Sequence, residues 1–201
     1  MKTINEIKWF EDIEEAKRAS EGNGKPLLMF FHYTQCAGCI NTFNKTLTKM
    51  SVKDGITDNF VPVLLEITER PAETGVYGIV WTPTFIAADK AGMQVYRWEG
   101  YLPEDDFLGH LDMAVARIAL KDGNFRDAER HFDEVLIKYP LSDLAPMAMY
   151  YHGVARFNKN HDESELTNTY ENLKMEFPNS IWAMKASVWS SENLNEIKKA
   201  A

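Results

Sequence analysis

An α/β domain followed by an all-α region of helical-hairpin repeats is the fold class this 201-residue sequence predicts. Three observations lead there. The only two cysteines form a Cys36-Ala37-Gly38-Cys39 motif, placed between a continuous apolar run at 27–31 and a segment able to form a helix. Strand-like apolar runs occur up to about residue 115; beyond it helical periodicity with regular Ala and aromatic positions takes over. Finally, Lys138-Tyr139-Pro140-Leu141-Ser142 returns as Glu176-Phe177-Pro178-Asn179-Ser180, an offset of 38 residues from Pro140 to Pro178. The expected division is residues 1–115 and residues 116–201.

Leu27-Leu28-Met29-Phe30-Phe31 reads as a strand buried on both faces. A Cys-x-x-Cys opening a helix behind such a strand makes a reversible redox group. At the helix start, unpaired N–H groups stabilise a thiolate at Cys36, lowering a thiol pKa from roughly 8.5 into about 3.5–7.5. Cys36 is therefore the expected nucleophile. Cys39, one turn further in, can attack the mixed disulfide that Cys36 forms and release the client. Zinc is disfavoured, since a structural site takes four ligands and no second Cys pair or spaced His pair accompanies His32. A structural disulfide across so small a loop stabilises little. Spacing alone does not separate a reactive dithiol from an inert one.

Phe60-Val61-Pro62-Val63-Leu64-Leu65 reads as the next strand, parallel and apolar on both faces. In Tyr77-Gly78-Ile79-Val80-Trp81-Thr82-Pro83-Thr84-Phe85-Ile86 a proline stands immediately before a strand-like run, where it has no ladder hydrogen bond to donate. Asp89-Lys90-Ala91-Gly92 follows as a hairpin turn, then Arg97-Trp98-Glu99-Gly100-Tyr101 leads toward a helix. In this order the motifs resemble the thioredoxin family over roughly residues 1–115.

That resemblance implies a central mixed sheet flanked by helices. It also implies that Pro83 is a cis-proline beside the dithiol, shielding the cysteines from metal ions, and that the backbone of Thr82, with Trp81 beside it, binds an extended client segment as an added strand. An ordinary edge-strand proline is the plainer alternative. Residues 7–19 and 24–28 look like those thioredoxin-like proteins in which a helix precedes the first buried strand. Departures from the family matter as well. Many thioredoxins carry a buried carboxylate six residues before the first cysteine, and Phe30 stands there; Leu64 stands where a neighbouring lysine is frequent. Gln35 replaces a common tryptophan, and Ala37-Gly38 a common Gly-Pro. His32 is a candidate modulator of the thiolate or a proton shuttle, with a strand histidine of no chemical role as its alternative; Glu66 is a more distant candidate.

A net charge of −8 and a pI near 5.2 argue against nucleic acid and anionic membranes, because phosphate binding needs clustered Lys and Arg. The chain shows neither a membrane span of roughly 20 apolar residues nor the apolar centre of a signal peptide, which points to the cytoplasm, or to the periplasm if a leader was removed.

The helix starting at Pro103 continues through Phe107, Leu108, Leu111, Val115, Ile118 and Ala119 to Lys121 without a break, which predicts rigid coupling of the two regions. Asp122-Gly123-Asn124-Phe125 with Ala128 resembles part of a tetratricopeptide repeat, and Ser142 and Ser180 are expected N-caps. Stacked helical repeats commonly bind proteins. Tyr150, Tyr151, Phe157, Trp182 and Trp189 would line such a surface unless they pack internally.

The sequence thus favours a thiol-disulfide oxidoreductase acting on client protein disulfides through Cys36 and Cys39, needing no cofactor beyond its own redox-active disulfide and no metal. A reductase or small reductant would be its redox partner, and the helical region would select a client or partner protein. The alternative is a redox-passive scaffold whose repeats mediate protein interaction.

Overall fold

The computed structural model describes residues 1–193. The chain divides into two compact units, Met1–Ala114 and Val115–Ala201.

The first unit opens with a hairpin of β1 (Lys2–Ile4) and β2 (Ile7–Trp9), joined by Asn5 and Glu6, both at positive φ. Two left-handed residues in succession match the twist of a two-residue hairpin turn. Helix α1 (Ile13–Asn23) is started by Asp12, whose carboxylate accepts the Glu15 N–H, and stopped by Gly24 at φ 79. Next come β3 (Leu27–His32), the short helix α2 (Ala37–Asn41), α3 (Met50–Asn59), β4 (Val61–Glu66), α4 (Pro71–Val76), β5 (Thr84–Ala88), β6 (Gln94–Glu99) and the long helix α5 (Glu104–Lys121).

The sheet order is β4-β3-β5-β6, with β3 and β4 parallel and the other pairs antiparallel. This is the mixed sheet that the resemblance implied. Phe10 extends it by a parallel bridge to Val63, accepting from Leu64 N–H at 2.8 Å and donating to the Pro62 carbonyl at 2.9 Å. Pro62 shares Leu64's edge-facing direction, so its missing N–H falls on the rim of the sheet.

Residues alternate between faces along β3. Leu27, Met29 and Phe31 pack with Ile13, Ala16, Val63 and Ile86. Phe30 points the other way, stacked on Phe85 at 4.2 Å, which stacks on Trp98 at 5.2 Å and meets Phe107 edge-on at 4.9 Å. Both faces are covered, so the strand alternates in direction but not in hydrophobicity.

The boundary between the units falls inside α5. In the second unit α6 (Phe125–Lys138), α7 (Leu144–Asn160), α8 (Ser164–Glu176) and α9 (Ile181–Ala186) follow on short connections, each packed against the next. The 38-residue offset maps α6 onto α8 and the start of α7 onto α9, and the paired positions Val135/Leu173, Ala145/Ala183 and Ala148/Ala186 are all buried. Ser180 caps α9 by accepting the Ala183 N–H at 3.0 Å. The expectation for Ser142 needs correcting: its hydroxyl donates to the Tyr139 carbonyl at 2.9 Å and accepts only weakly from Leu144 N–H at 3.3 Å, while Asp143 takes the cap position without a side-chain bond. Tyr150 stacks on Trp189 at 4.5 Å and tilts against Trp182 at 5.2 Å, and these three rings pack with Leu173, Ala183 and Ala186. No described helix is long and apolar enough to cross a membrane.

Candidate active site

β3 carries the chain to Tyr33, where a turn closed by Cys36 N–H to the Tyr33 carbonyl at 3.0 Å delivers Cys36 to the N-cap of α2. The Cys36 sulfur accepts the Cys39 N–H at 3.4 Å. A serine or aspartate side chain does the same at an ordinary helix start, so here the sulfur takes a capping role. After α2 the helix widens into one turn of π-helix, Thr42–Thr46, in which Leu47 N–H reaches the Thr42 carbonyl at 2.9 Å. The Asn5 amide donates to the Phe43 carbonyl within that turn at 2.6 Å. Such turns occur mostly as single bulges in helices near functional sites.

Both cysteines are free thiols, Cys36 half-buried and Cys39 buried. Cys36 donates to the Thr82 carbonyl at 3.2 Å, and the Thr82–Pro83 peptide is cis. Gly38 abuts the Pro83 ring. Trp81 is 64% exposed and Val80 85% exposed. With Cys36, Ile67, Ile79 and Thr82 these two line an open cavity of about 290 Å³. The structure therefore brings Cys36, Cys39, Thr82, Pro83 and Trp81 into one place.

The two thiols differ electrostatically. Burial raises the Cys36 pKa, but hydrogen bonding at the Thr82 side chain, at the Cys39 amide and thiol and at the Gly38 amide outweighs it, and the net shift is downward. Cys39 is pushed up to about 11, chiefly by burial, with the Cys36 sulfur adding to the rise and the Tyr33 amide and Thr82 opposing it. The near thiol thus ionises first and the deep one holds its proton.

His32 ends β3 in register with Glu66 at the end of β4, its Nδ1 lying 3.4 Å from Glu66 Oε2. Its ring sits 5.6 Å from Phe30 and edge-on to Phe43 at 5.3 Å. Phe30 and Leu64 are buried apolar contacts, as their identities required. Among the described residues no three His, Cys, Asp or Glu side chains gather as a metal-ligand set.

Sequence reasoning passed over the apolar wall of Ile67, Ile79 and Val80 and the part played by Gly38. An exposed Val80-Trp81 pair ahead of Thr82-Pro83 was the available signal for the wall. Gly38 inside the Cys-x-x-Cys spacer was the signal for close approach.

A thioredoxin from Thermus thermophilus aligns at 25% identity with a TM-score of 0.52, covering 59% of this chain and 95% of that one. The DsbH oxidoreductase aligns at 17% identity with a TM-score of 0.49, covering 54% and 84% of the two chains. The C-terminal domain of Neisseria meningitidis DsbD in its oxidised form aligns at 19% with a TM-score of 0.44, covering 50% and 94%. No curated protein matches the sequence. The family model described as a thioredoxin-like domain matches residues 13–114, half of the chain, and no family match extends over the helical region that follows. By that match, the chain belongs to the thioredoxin-like domain family.

Proposed function

We propose that the protein is a thiol-disulfide oxidoreductase acting on protein disulfides. The observation that carries this reading is the asymmetry of the dithiol: a reachable Cys36 shifted toward thiolate beside a buried Cys39 held at about 11. The Cys36 thiolate attacks one sulfur of a client disulfide, forming a mixed disulfide and expelling the other client sulfur as thiolate. Cys39 then loses its proton and attacks the Cys36 sulfur. The Cys36–Cys39 bond forms, the bond to the client breaks, and the client leaves with two reduced sulfurs. An external dithiol, from a reductase or a small reductant, returns the pair to its starting state.

Thr82, Pro83 and Trp81 hold the client. Once Cys36 has given up its proton, the Thr82 carbonyl loses its donor and is available to accept a client backbone N–H. Apolar client side chains next to the disulfide find Trp81, Val80, Ile79 and Ile67. The helical region, read as tetratricopeptide-like on the strength of its 38-residue offset and matched buried positions, selects the client or a partner protein.

Insulin reduction under dithiothreitol tests the reading. The parent protein should accelerate it, Cys36→Ser should abolish the acceleration, and Cys39→Ser should accumulate a mixed disulfide. Equal rates with and without Cys36 would leave the redox-passive scaffold as the correct account, and capture of a partner by a Cys36→Ser, Cys39→Ser double variant would then locate its function in protein binding.

A further inference from the structure

A row of cations and aromatic rings crosses three helices of the second unit. Arg117 of α5 lays its guanidinium over the Tyr151 ring of α7, with Cζ 3.7 Å from the ring centre. Tyr151 meets the Trp182 ring of α9 at 5.4 Å, and the Lys185 ammonium, one turn further along α9, lies 4.3 Å from the centre of the Trp182 ring. Helices α5, α7 and α9 alternate with α6 and α8 along the chain, and these four side chains join them directly. Arg117, Tyr151 and Trp182 are half-buried and Lys185 is exposed, so every member of the row keeps part of its surface in solvent.

Carboxylates answer other cations of this unit but not these two. Arg130, Arg156 and Lys159 each meet a glutamate, at 2.6, 2.9 and 2.6 Å. Arg117 and Lys185 meet rings instead, and Arg117 Nε is buried with no hydrogen-bond partner among the described residues. A ring holds a cation through its quadrupole without cancelling the charge. Stacking also fixes the guanidinium plane, which aims the N–H groups along its edge toward an arriving carboxylate. On a chain of net charge −8, two such cations set close together attract an anionic ligand at one place, where the surface at large repels it.

We propose that this row binds an extended acidic segment of a client or partner protein, with one carboxylate on Arg117 and a second on Lys185. The inference rests on the reading of the helical region as a protein-selecting surface, and it is independent of the dithiol chemistry. The three steps of the row keep Arg117 Cζ and Lys185 Nζ within about 13 Å of each other, the span of about four residues of extended chain at roughly 3.3 Å each. Side chains at i, i+2 and i+4 of such a chain share a face. The segment therefore carries acids at i and i+4, with an apolar residue at i+2 set over the step from Tyr151 to Trp182.

Fluorescence anisotropy of labelled peptides added to the full chain in its dithiol form tests this. The probe is rhodamine-labelled Gly-Asp-Ser-Leu-Ser-Asp-Gly-amide. One control carries Asn in place of both Asp; the other, Gly-Asp-Leu-Ser-Asp-Ser-Gly-amide, keeps the composition but moves the acids to i and i+3. The parent should bind the probe at least about tenfold more tightly than either control, and added NaCl should shrink the preference over the Asn peptide. Lys185→Gln, a change at an exposed side chain, and Arg117→Gln should each weaken probe binding at least about fivefold and leave the Asn peptide unchanged. Equal affinity for the probe and the Asn peptide, or a parent and Lys185→Gln that bind the probe alike, overturns the proposal. So does equal affinity for the i, i+3 peptide, which would reduce the effect to charge attraction without register. Insulin reduction is measured alongside. Selective probe binding without insulin reduction removes the redox reading and leaves this surface standing, whereas insulin reduction by a chain that does not distinguish the three peptides removes the surface alone.

Discussion

Gly38 faces Pro83 so closely that a Cβ on Gly38 would lie 2.8 Å from the ring Cδ. The contact is between a helix backbone and a ring fixed to its own main chain, so neither side has a flexible end to swing away. Gly38→Ala should therefore push α2 off the Thr82-Pro83 segment, at a cost of about 1–3 kcal/mol. Urea unfolding measures that loss. The same variant should raise the Cys36 thiol pKa, since the influence of the Thr82 side chain that helps lower it depends on this approach.

Alkylation rate against pH reports the two thiols separately. Cys36 should react with a midpoint below that of a free thiol, and Cys39 should stay silent until the pH nears its value of about 11. Cys39→Ala removes one of the hydrogen bonds that favour the Cys36 thiolate and should shift the Cys36 midpoint upward. A midpoint that does not move in Cys39→Ala contradicts the sulfur-to-sulfur contribution.

Acid should destabilise the first unit through His110. Its Nδ1 lies 2.7 Å from the Tyr96 hydroxyl and its ring stacks on Trp98 at 5.3 Å. Burial lowers its pKa from 6.5 to about 4. Between those values the unfolded chain binds a proton that the folded chain does not, so stability falls as pH drops through that window and levels off below about 4. The full loss is about 3 kcal/mol. Unfolding midpoints from pH 7 to pH 4, with the His110 ring followed by NMR, test both sign and window.

In the second unit, Gly153 of α7 lets α8 come close. A Cβ there would overlap the Thr169 hydroxyl and sit 2.7 Å from Thr169 Cβ and Cγ2. Gly153→Ala should cost about 1–3 kcal/mol, read as a lower unfolding midpoint. Adding Thr169→Ala, which removes two of the three crowding atoms, should restore part of it.

How much of this was legible beforehand follows from the range of the forces involved. Residues 27–31 and 61–65 announced strands because every side chain there is apolar, and Asp89 through Gly92 announced a turn by composition. The Cys36 cap was readable from its place after β3. The β1–β2 hairpin was not, since its turn uses Asn5 and Glu6 at positive φ where a glycine would have marked it. The π turn at Thr42–Thr46 was equally hidden; its Phe43 carbonyl is held by Asn5, which lies 38 residues away in sequence. Tyr150, Trp182 and Trp189 show the same limit from the other side, since a helical aromatic reads alike whether it meets a partner or, as here, its own neighbours. Glu66 was visible as a residue but not as a partner of His32, because strand register is a tertiary fact.

Phe10 on the rim of β4 bears on what else this sheet can join. An intruding extended chain meets a flank whose main-chain groups are already engaged at Pro62 and Leu64. The opposite flank, β6, carries the Arg97–Glu99 ion pair, and charge on an outer strand discourages runaway sheet growth. Strand exchange between copies is thereby deterred at both borders.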